Sequence, residues 1–269
     1  MKYRVLVLDL DGTLTNSKKE ITEYTKNVLL SFQKEGGIIV LASGRPPYGI
    51  IPLAHELMMD TYGGYILAFN GGKIIQCSDG KAIFQTTIPV ELKSALYKFS
   101  KQNNVVILTY KNERIITEDP FDQYVIKEKM LNKMDALKVE SFDEYVDYPV
   151  DKCLMVADET HLAKVEIEAK KTFGDALSIY RSEPYFLEVV PKGIDKAKSL
   201  EWLFGHIGID KLEIAACGDG YNDQTMIEYA GLGVAMENAQ DLVKKAADLI
   251  APSNDHDGVA WVVENYILN

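Results

Sequence analysis

Tyr3-Arg4-Val5-Leu6-Val7-Leu8-Asp9-Leu10-Asp11-Gly12-Thr13 is the stretch whose reading decides the fold. Its first six residues are the apolar run that a strand buried in a parallel sheet requires. The run stops at two carboxylates, Asp9 and Asp11. On extended chain, residues two apart point to the same side. Two acids facing one way at the end of a buried strand are costly unless a cation offsets them. Gly12 lets the backbone turn tightly and approach a ligand. The carboxyl ends of parallel strands are also where open α/β sheets place their ligands.

Outward from this stretch the chain alternates strand and helix. Thr22 reads as the N-cap of a helix that stops at Gly36-Gly37, with Val28, Leu29 and Phe32 on one face. Residues 38–42 form a second buried strand, broken by Ser43-Gly44-Arg45-Pro46-Pro47. A helix carrying Leu53, Ala54, Leu57 and Met58 leads to a third strand at 66–69, which ends at Asn70-Gly71-Gly72. This βαβαβ rhythm predicts a doubly wound parallel sheet, a Rossmann-like α/β core. The pattern changes between residues 73 and 87, where a Ser78-Asp79-Gly80 turn joins two strands as a hairpin. Helices near 90–101, after Pro120 and at 159–173 then mix with strands near 105–109, 114–117, 153–157, 176–180 and 186–190. Such mixing predicts an α+β unit with an antiparallel sheet. From Gly193 the α/β rhythm returns, with a helix at 196–205 and a buried strand at 212–216. A turn at 218–223 follows, then short strands at 232–235 and 249–250 and an amphipathic helix at 258–268. The expected organisation is a core of residues 1–83 and 191–269 with residues 84–190 inserted as a second domain.

The 269 residues are 47% hydrophobic and 26% charged, enough to bury a sizeable core. A formal net charge of -11 argues against nucleic acid or an anionic membrane as the main partner. Small phosphorylated ligands stay open, since they need only local positive charge. Cys77, Cys153 and Cys217 lie far apart with no C-x-x-C pair, which suits a reducing cytoplasm and argues against a zinc site or disulfide framework. The first apolar run is too short for a signal peptide, and no stretch is long enough to span a bilayer. The expectation is a cytoplasmic protein, a monomer or weak homo-oligomer.

Four segments carry the chemistry: Asp9 with Asp11, Ser43-Gly44-Arg45, Lys196, and Asp219 with Asn222-Asp223. Each follows a predicted core strand or begins a helix. In a doubly wound sheet the first, second and fourth converge at its carboxyl edge. Four carboxylates, a hydroxyl, an ammonium and an amide would then share a small volume. Carboxylates are hard donors that suit Mg²⁺ rather than Zn²⁺. Ser43, nearby backbone N–H groups, Lys196 and Asn222 suit a phosphate. Acids, Mg²⁺ and a lysine are the parts of a phosphoryl-transfer site. Taken singly, each segment has an ordinary reading. Ser43-Gly44 and Asp219-Gly220 are turn pairs, Lys196 is a solvated helix lysine, Asn222 is an N-cap and Asp223 is a helix-start acid. Their joint order after strands is what argues for a site. The first strand ends in acids rather than G-x-G-x-x-G, against dinucleotide binding.

Asp9–Leu14, Leu41–Arg45, Lys196 and Gly218–Asp223 followed by Met226 and by residues 230–236 resemble the four motifs of the haloacid dehalogenase-like (HAD) superfamily. The likeness is to its Cof-type phosphatases and covers the whole chain, with the insert placed like that subfamily's large cap. Glu237 departs from the pattern, where relatives usually carry Gly, at what would be the pocket rim. The resemblance implies an Mg²⁺-dependent phosphatase of small phosphorylated metabolites. Sugar phosphates come first; nucleotides, flavin phosphate and pyridoxal phosphate stay open. It implies that Asp9 attacks phosphorus to form an aspartyl-phosphate and that Asp11 is the general acid and base. It further implies Mg²⁺ on Asp9, the Asp11 backbone carbonyl and Asp219, with Asp223 nearby. Phosphate would be held by Leu10, Ser43, Gly44, Lys196 and Asn222. Arg45 and Asn70 are candidate contacts to substrate or cap, or structural residues. The same holds for Tyr180, Arg181 and Glu188. A sugar phosphomutase and a non-catalytic phospho-acceptor like a signalling receiver are the alternatives.

Overall fold

The computed structural model describes residues 1–268. Strand β1 (Val5–Leu8) is buried along its whole length. Helix α1 (Glu23–Lys34) follows, capped where the Thr22 hydroxyl accepts the Thr25 N–H, with Val28, Leu29 and Phe32 as its buried stripe. β2 (Ile38–Ala42) pairs parallel with β1. Two short helices, α2 (Ile51–Glu56) and α3 (Met59–Tyr62), replace the single helix expected through Met58. The Gln33 amide donates to the Leu57 carbonyl at 2.8 Å, and Met58 turns to a φ of 52°, which no helix continues. β3 (Tyr65–Ala68) pairs parallel with β2, β4 (Lys73–Gln76) antiparallel with β3, and β5 (Ala82–Gln85) forms the sheet edge.

The insert runs through α4 (Val90–Gln102), β6 (Val106–Lys111), β7 (Arg114–Thr117), α5 (Gln123–Asn132) and β8 (Asp135–Lys138). It continues through α6 (Phe142–Tyr145), β9 (Cys153–Val156), α7 (Glu159–Phe173), β10 (Leu177–Glu183) and β11 (Phe186–Pro191). Its six strands lie in the order β10-β11-β9-β6-β7-β8. Pairing is antiparallel except between β7 and β8. Leu96 and Phe99 of α4 and Leu162, Val165 and Phe173 of α7 pack on Ile107, Met155 and Leu187 to form this unit's own core.

The chain then re-enters the first sheet through α8 (Lys196–Ile207), β12 (Ile214–Gly218), α9 (Gln224–Tyr229), β13 (Leu232–Met236), α10 (Asp241–Ala246), β14 (Leu249–Ala251) and α11 (Gly258–Val262). β12 starts at Ile214 rather than Leu212, because an Asp210–Glu213 capping box winds residues 211–213 into a 3₁₀ turn. The closing helix is α only as far as Val262 and runs on as a π turn over Val263–Ile267.

The eight strands lie in the order β14-β13-β12-β1-β2-β3-β4-β5. The chain moves one way from β1 to β3 and the opposite way from β12 to β14. β1 and β12 therefore bracket the reversal of strand order, where a crevice opens at the carboxyl ends. Val5, Val7, Ile214 and Ala216 pack against Leu200, Leu203 and Phe204 of α8 and Met226 of α9. Leu6 and Leu8 face the other way by alternation and are equally buried, on the side where α1 packs on β2 and α11. The chain divides into two compact units, Met1–Phe84 with the chain from Asp195 onward, and Gln85–Ile194. Among the described residues no helix is long and apolar enough to cross a membrane.

Candidate active site

Asp9 lies one residue beyond β1, where its N–H still donates to the Cys217 carbonyl of β12 at 3.1 Å. Asp219 and Asp223 follow β12. Asp9, Asp219 and Asp223 each offer a carboxylate oxygen, and the three oxygens lie within 4.8 Å of one another. Lys196, the first residue of α8, is fully buried. Its Nζ donates to Asp9 Oδ1 at 2.6 Å, Asp223 Oδ1 at 2.5 Å and the Ala42 carbonyl at 2.7 Å, which uses all three of its protons. Burial works to lower its pKa, but Asp223 and Asp9 outweigh that and raise it, so it stays cationic. Asp223 Oδ2 accepts the N–H groups of Asp219 and Gly220 at 3.0 and 2.9 Å. Thr13 donates its hydroxyl to Asp219 Oδ1 at 2.8 Å.

Burial, with Asp223 beside it, pushes Asp9 well above the usual carboxylate range. Burial also pushes Asp219 up to about 6, against the Thr13 hydrogen bond and with the help of Asp223. Three carboxylates against one ammonium leave an excess of negative charge in a mostly dry site. Hard oxygen donors with that excess fit a divalent cation. The backbone is shaped to allow the cluster. Gly12 sits at φ +88°, and a Cβ there would come within 2.4 Å of Asp219 Oδ2.

The second segment is laced to the end of β3. Ser43 is buried; its N–H donates to the Leu67 carbonyl at 2.9 Å, and its hydroxyl accepts the Arg45 N–H at 3.2 Å. Asn70 donates its N–H to the Ser43 carbonyl at 2.9 Å and accepts the Asn222 amide at 2.9 Å. Gly44 lies against the Asn70 amide, within 3.3 Å of where its own Cβ would stand. Leu10 buries its side chain and accepts the Thr15 N–H and hydroxyl on its carbonyl. Ser43, Gly44, Asn70 and Asn222 thus form one group, while Lys196 belongs to the acids.

One expectation is corrected. Asp11 does not add a fourth carboxylate to the cluster. Arg45 grips both its oxygens, Nε to Oδ2 at 2.7 Å and Nη2 to Oδ1 at 2.6 Å, and Lys19 donates to Oδ1 at 2.7 Å. Partial burial works to raise Asp11, but Arg45 and Lys19 outweigh it and hold the carboxyl below its ordinary range. In the insert, Tyr180 stands opposite Glu188 in the β10–β11 register. Arg181 donates to Glu166 at 2.8 Å, and Glu188 pairs with the buried Lys152 at 2.8 Å. Glu237 is exposed just beyond β13. Sequence reasoning gave no role to Thr13, although it stands in the decisive stretch. It gave none to Lys19, which carries no signal beyond being a surface lysine, or to Lys152.

The haloacid dehalogenase-like hydrolase family matches residues 6–263, and the chain belongs to that family. A haloacid dehalogenase-like hydrolase of Bacteroides thetaiotaomicron is 50% identical, with a TM-score of 0.95 over 98% of this chain and 99% of its own. The HAD subclass IIB sugar phosphatase BT4131 is 26% identical, with a TM-score of 0.82 over 98% of each chain. YitU of Bacillus subtilis, a 5-amino-6-(5-phospho-D-ribitylamino)uracil phosphatase, is 27% identical over 268 residues, 98% of each protein. The chain is accordingly a phosphatase of the Cof type, with an α/β parallel-sheet core.

Proposed function

We propose that this phosphatase hydrolyses small phosphorylated metabolites, sugar or polyol phosphates foremost, with Mg²⁺ and through an aspartyl-phosphate on Asp9. The observation that carries the reading is Asp9 itself, buried at the end of β1 with Asp219, Asp223 and Lys196 around it. Lys196 holds Asp9 Oδ1, which leaves Oδ2 to attack phosphorus. Asp11, ionised at rest by Arg45 and Lys19, relays the proton of the bound ester monoanion to the leaving alkoxide, then takes a proton from the water that hydrolyses the intermediate. The Ser43 hydroxyl, the Leu10 and Gly44 N–H groups and Asn222 hold the transferring oxygens. Lys196 supplies positive charge to the phosphate site while its three protons go to Asp9, Asp223 and the Ala42 carbonyl. Asp9, Asp219 and the Asp11 backbone carbonyl would hold Mg²⁺, with Asp223 at their side. When bound, the cation offsets the charge of phosphate and carboxylates so that one anion can approach another.

The substrate class is supported by the relatives. One is named a sugar phosphatase, and the other acts on a phosphorylated ribityl chain. Both present phosphate on a polyhydroxylated carbon chain. Cys77, Cys153 and Cys217 are free thiols, which suits a reducing cytoplasm. The test is inorganic phosphate release from a panel of sugar, polyol and nucleoside phosphates, before and after exhaustive chelation. Release restored by Mg²⁺ and greatest on polyol esters is expected. Full activity after chelation removes the metal, and isomeric sugar phosphate in place of inorganic phosphate makes the protein a mutase. No turnover on any ester leaves a phospho-acceptor.

A further inference from the structure

Asp11 alone among the four acids is held outside the carboxylate cluster, and the residue holding it is built into the same loop as Ser43. The Arg45 side chain is 10% exposed. Its planar fork makes two short bonds to Asp11, and Nη1 donates to the Gly49 carbonyl at 3.1 Å. A guanidinium anchored at three points fixes the carboxylate plane as well as its position, which a lysine cannot do. The Arg45 backbone is fixed too. Its N–H donates to the Ser43 hydroxyl, and its carbonyl accepts the Phe69 N–H at 3.1 Å.

That last bond comes from a strained turn. Phe69 and Asn70 adopt φ angles of 54° and 55°, a region costly for a bulky residue such as Phe. The strained pair delivers two consecutive N–H groups, one to the Arg45 carbonyl and one to the Ser43 carbonyl. A continuous chain of contacts therefore runs from Asn222 through Asn70, Ser43 and Arg45 to Asp11. It makes one rigid piece of the groups proposed to hold phosphate oxygens and the group proposed to handle the proton.

We propose that Arg45 is the positioning residue for Asp11, setting its carboxyl in register with the phosphate-holding loop, rather than a contact to substrate. The inference rests on the phosphatase reading above. Arg45 exchanges no proton. Asp11 is a carboxylate at rest under Arg45 and Lys19. It takes the proton of the bound ester monoanion and passes it to the leaving-group oxygen as the P–O bond breaks. It then takes a proton from the attacking water and gives it up to the departing phosphate. Lys19 contributes less, because it is half-exposed and offers a single bond.

The test compares kcat/KM, which ends at phosphoenzyme formation, for an alkyl phosphate and for nitrophenyl phosphate. Nitrophenolate leaves without protonation, so only the alkyl ester needs Asp11 in that step. Arg45→Gln is expected to lose on the order of 10²-fold on the alkyl ester and to stay within about 5-fold of the parent on the aryl ester. In an Asp11→Asn background the same change should cost little more. Arg45→Lys, which keeps the charge and loses the fork, should show the same ester-selective loss and covers the case in which the Gln variant does not fold. Equal losses on both esters, losses that add to those of Asp11→Asn, or an effect on KM alone would overturn the assignment. A parent protein that releases phosphate from neither ester would sink the phosphatase reading, and this inference with it.

Discussion

Lys196 gives each of its protons to a different acceptor, and two of those acceptors are acids that repel one another. Asp219 receives none of them, and burial makes it hard to ionise, with Asp223 adding to the effect. Its pKa, lifted from 3.8 to about 6, means that the folded chain binds this proton more tightly than the unfolded chain does. By linkage, its contribution makes the metal-free protein less stable as pH rises from about 4 to about 6, and the deficit persists above that range. Asp219→Asn should therefore stabilise the metal-free protein at pH 7 by about 3 kcal/mol. It should also weaken Mg²⁺ binding. Thermal melts in EDTA at pH 7 and below pH 4, followed by Mg²⁺ titration, check both; a variant that melts lower than the parent in EDTA at pH 7 refutes the sign. Asp9→Asn keeps the size and removes the attacking anion. Several orders of magnitude in kcat should disappear while phosphate-ester binding survives. Trapping the phosphoenzyme should label Asp9; a label on Asp219 would reassign the nucleophile.

At the scale of elements, what matters is how each strand ends. β1 and β12 end in turns whose glycines leave room for the acids. Gly218 carries no Cβ where one would come within 2.5 Å of the Asp223 Cβ. Gly12→Ala adds a methyl at a left-handed position and drives it into Asp219. The expected cost is about 1–3 kcal/mol of stability, together with a weakened metal site, read by melting and by Mg²⁺ titration. An unchanged Mg²⁺ affinity would mean that Asp219 moves aside freely. The buried strands, the capped helix α1 and the long helix α7 were legible because periodicity and caps are local. β8 and α10 were not. Asp135–Lys138 is a four-residue run with charged ends that becomes a strand only because β7 offers it an edge, and Asp241–Ala246 is too short to show a periodic stripe.

At the scale of the whole molecule, each compact unit has its own sheet and apolar core. Residues 85–194, expressed alone, should therefore unfold cooperatively. Their melting temperature should be indifferent to Mg²⁺, whereas the full chain should gain stability as the metal binds. A molten spectrum for the excised segment, or a metal-dependent melt, would show that the segment needs the rest of the chain.

The sequence by itself determined the parallel core, and it singled out an insert from a change of pattern and the acids, serine and lysine of the candidate site. Those features follow from hydrophobic period, from turn residues and from the positions where buried strands stop. Only the tertiary structure decided which acids meet. Asp9, Asp219 and Asp223 are up to 214 residues apart in the chain and come together because β1 and β12 are neighbours at the reversal of strand order. Asp11, adjacent to them in sequence logic, was taken away by Arg45, whose reach depends on the fold of the loop after β2 and on the strained turn after β3. Same-side spacing on a strand fixes direction, but which neighbour captures a side chain is set by charges and donors brought in from other elements.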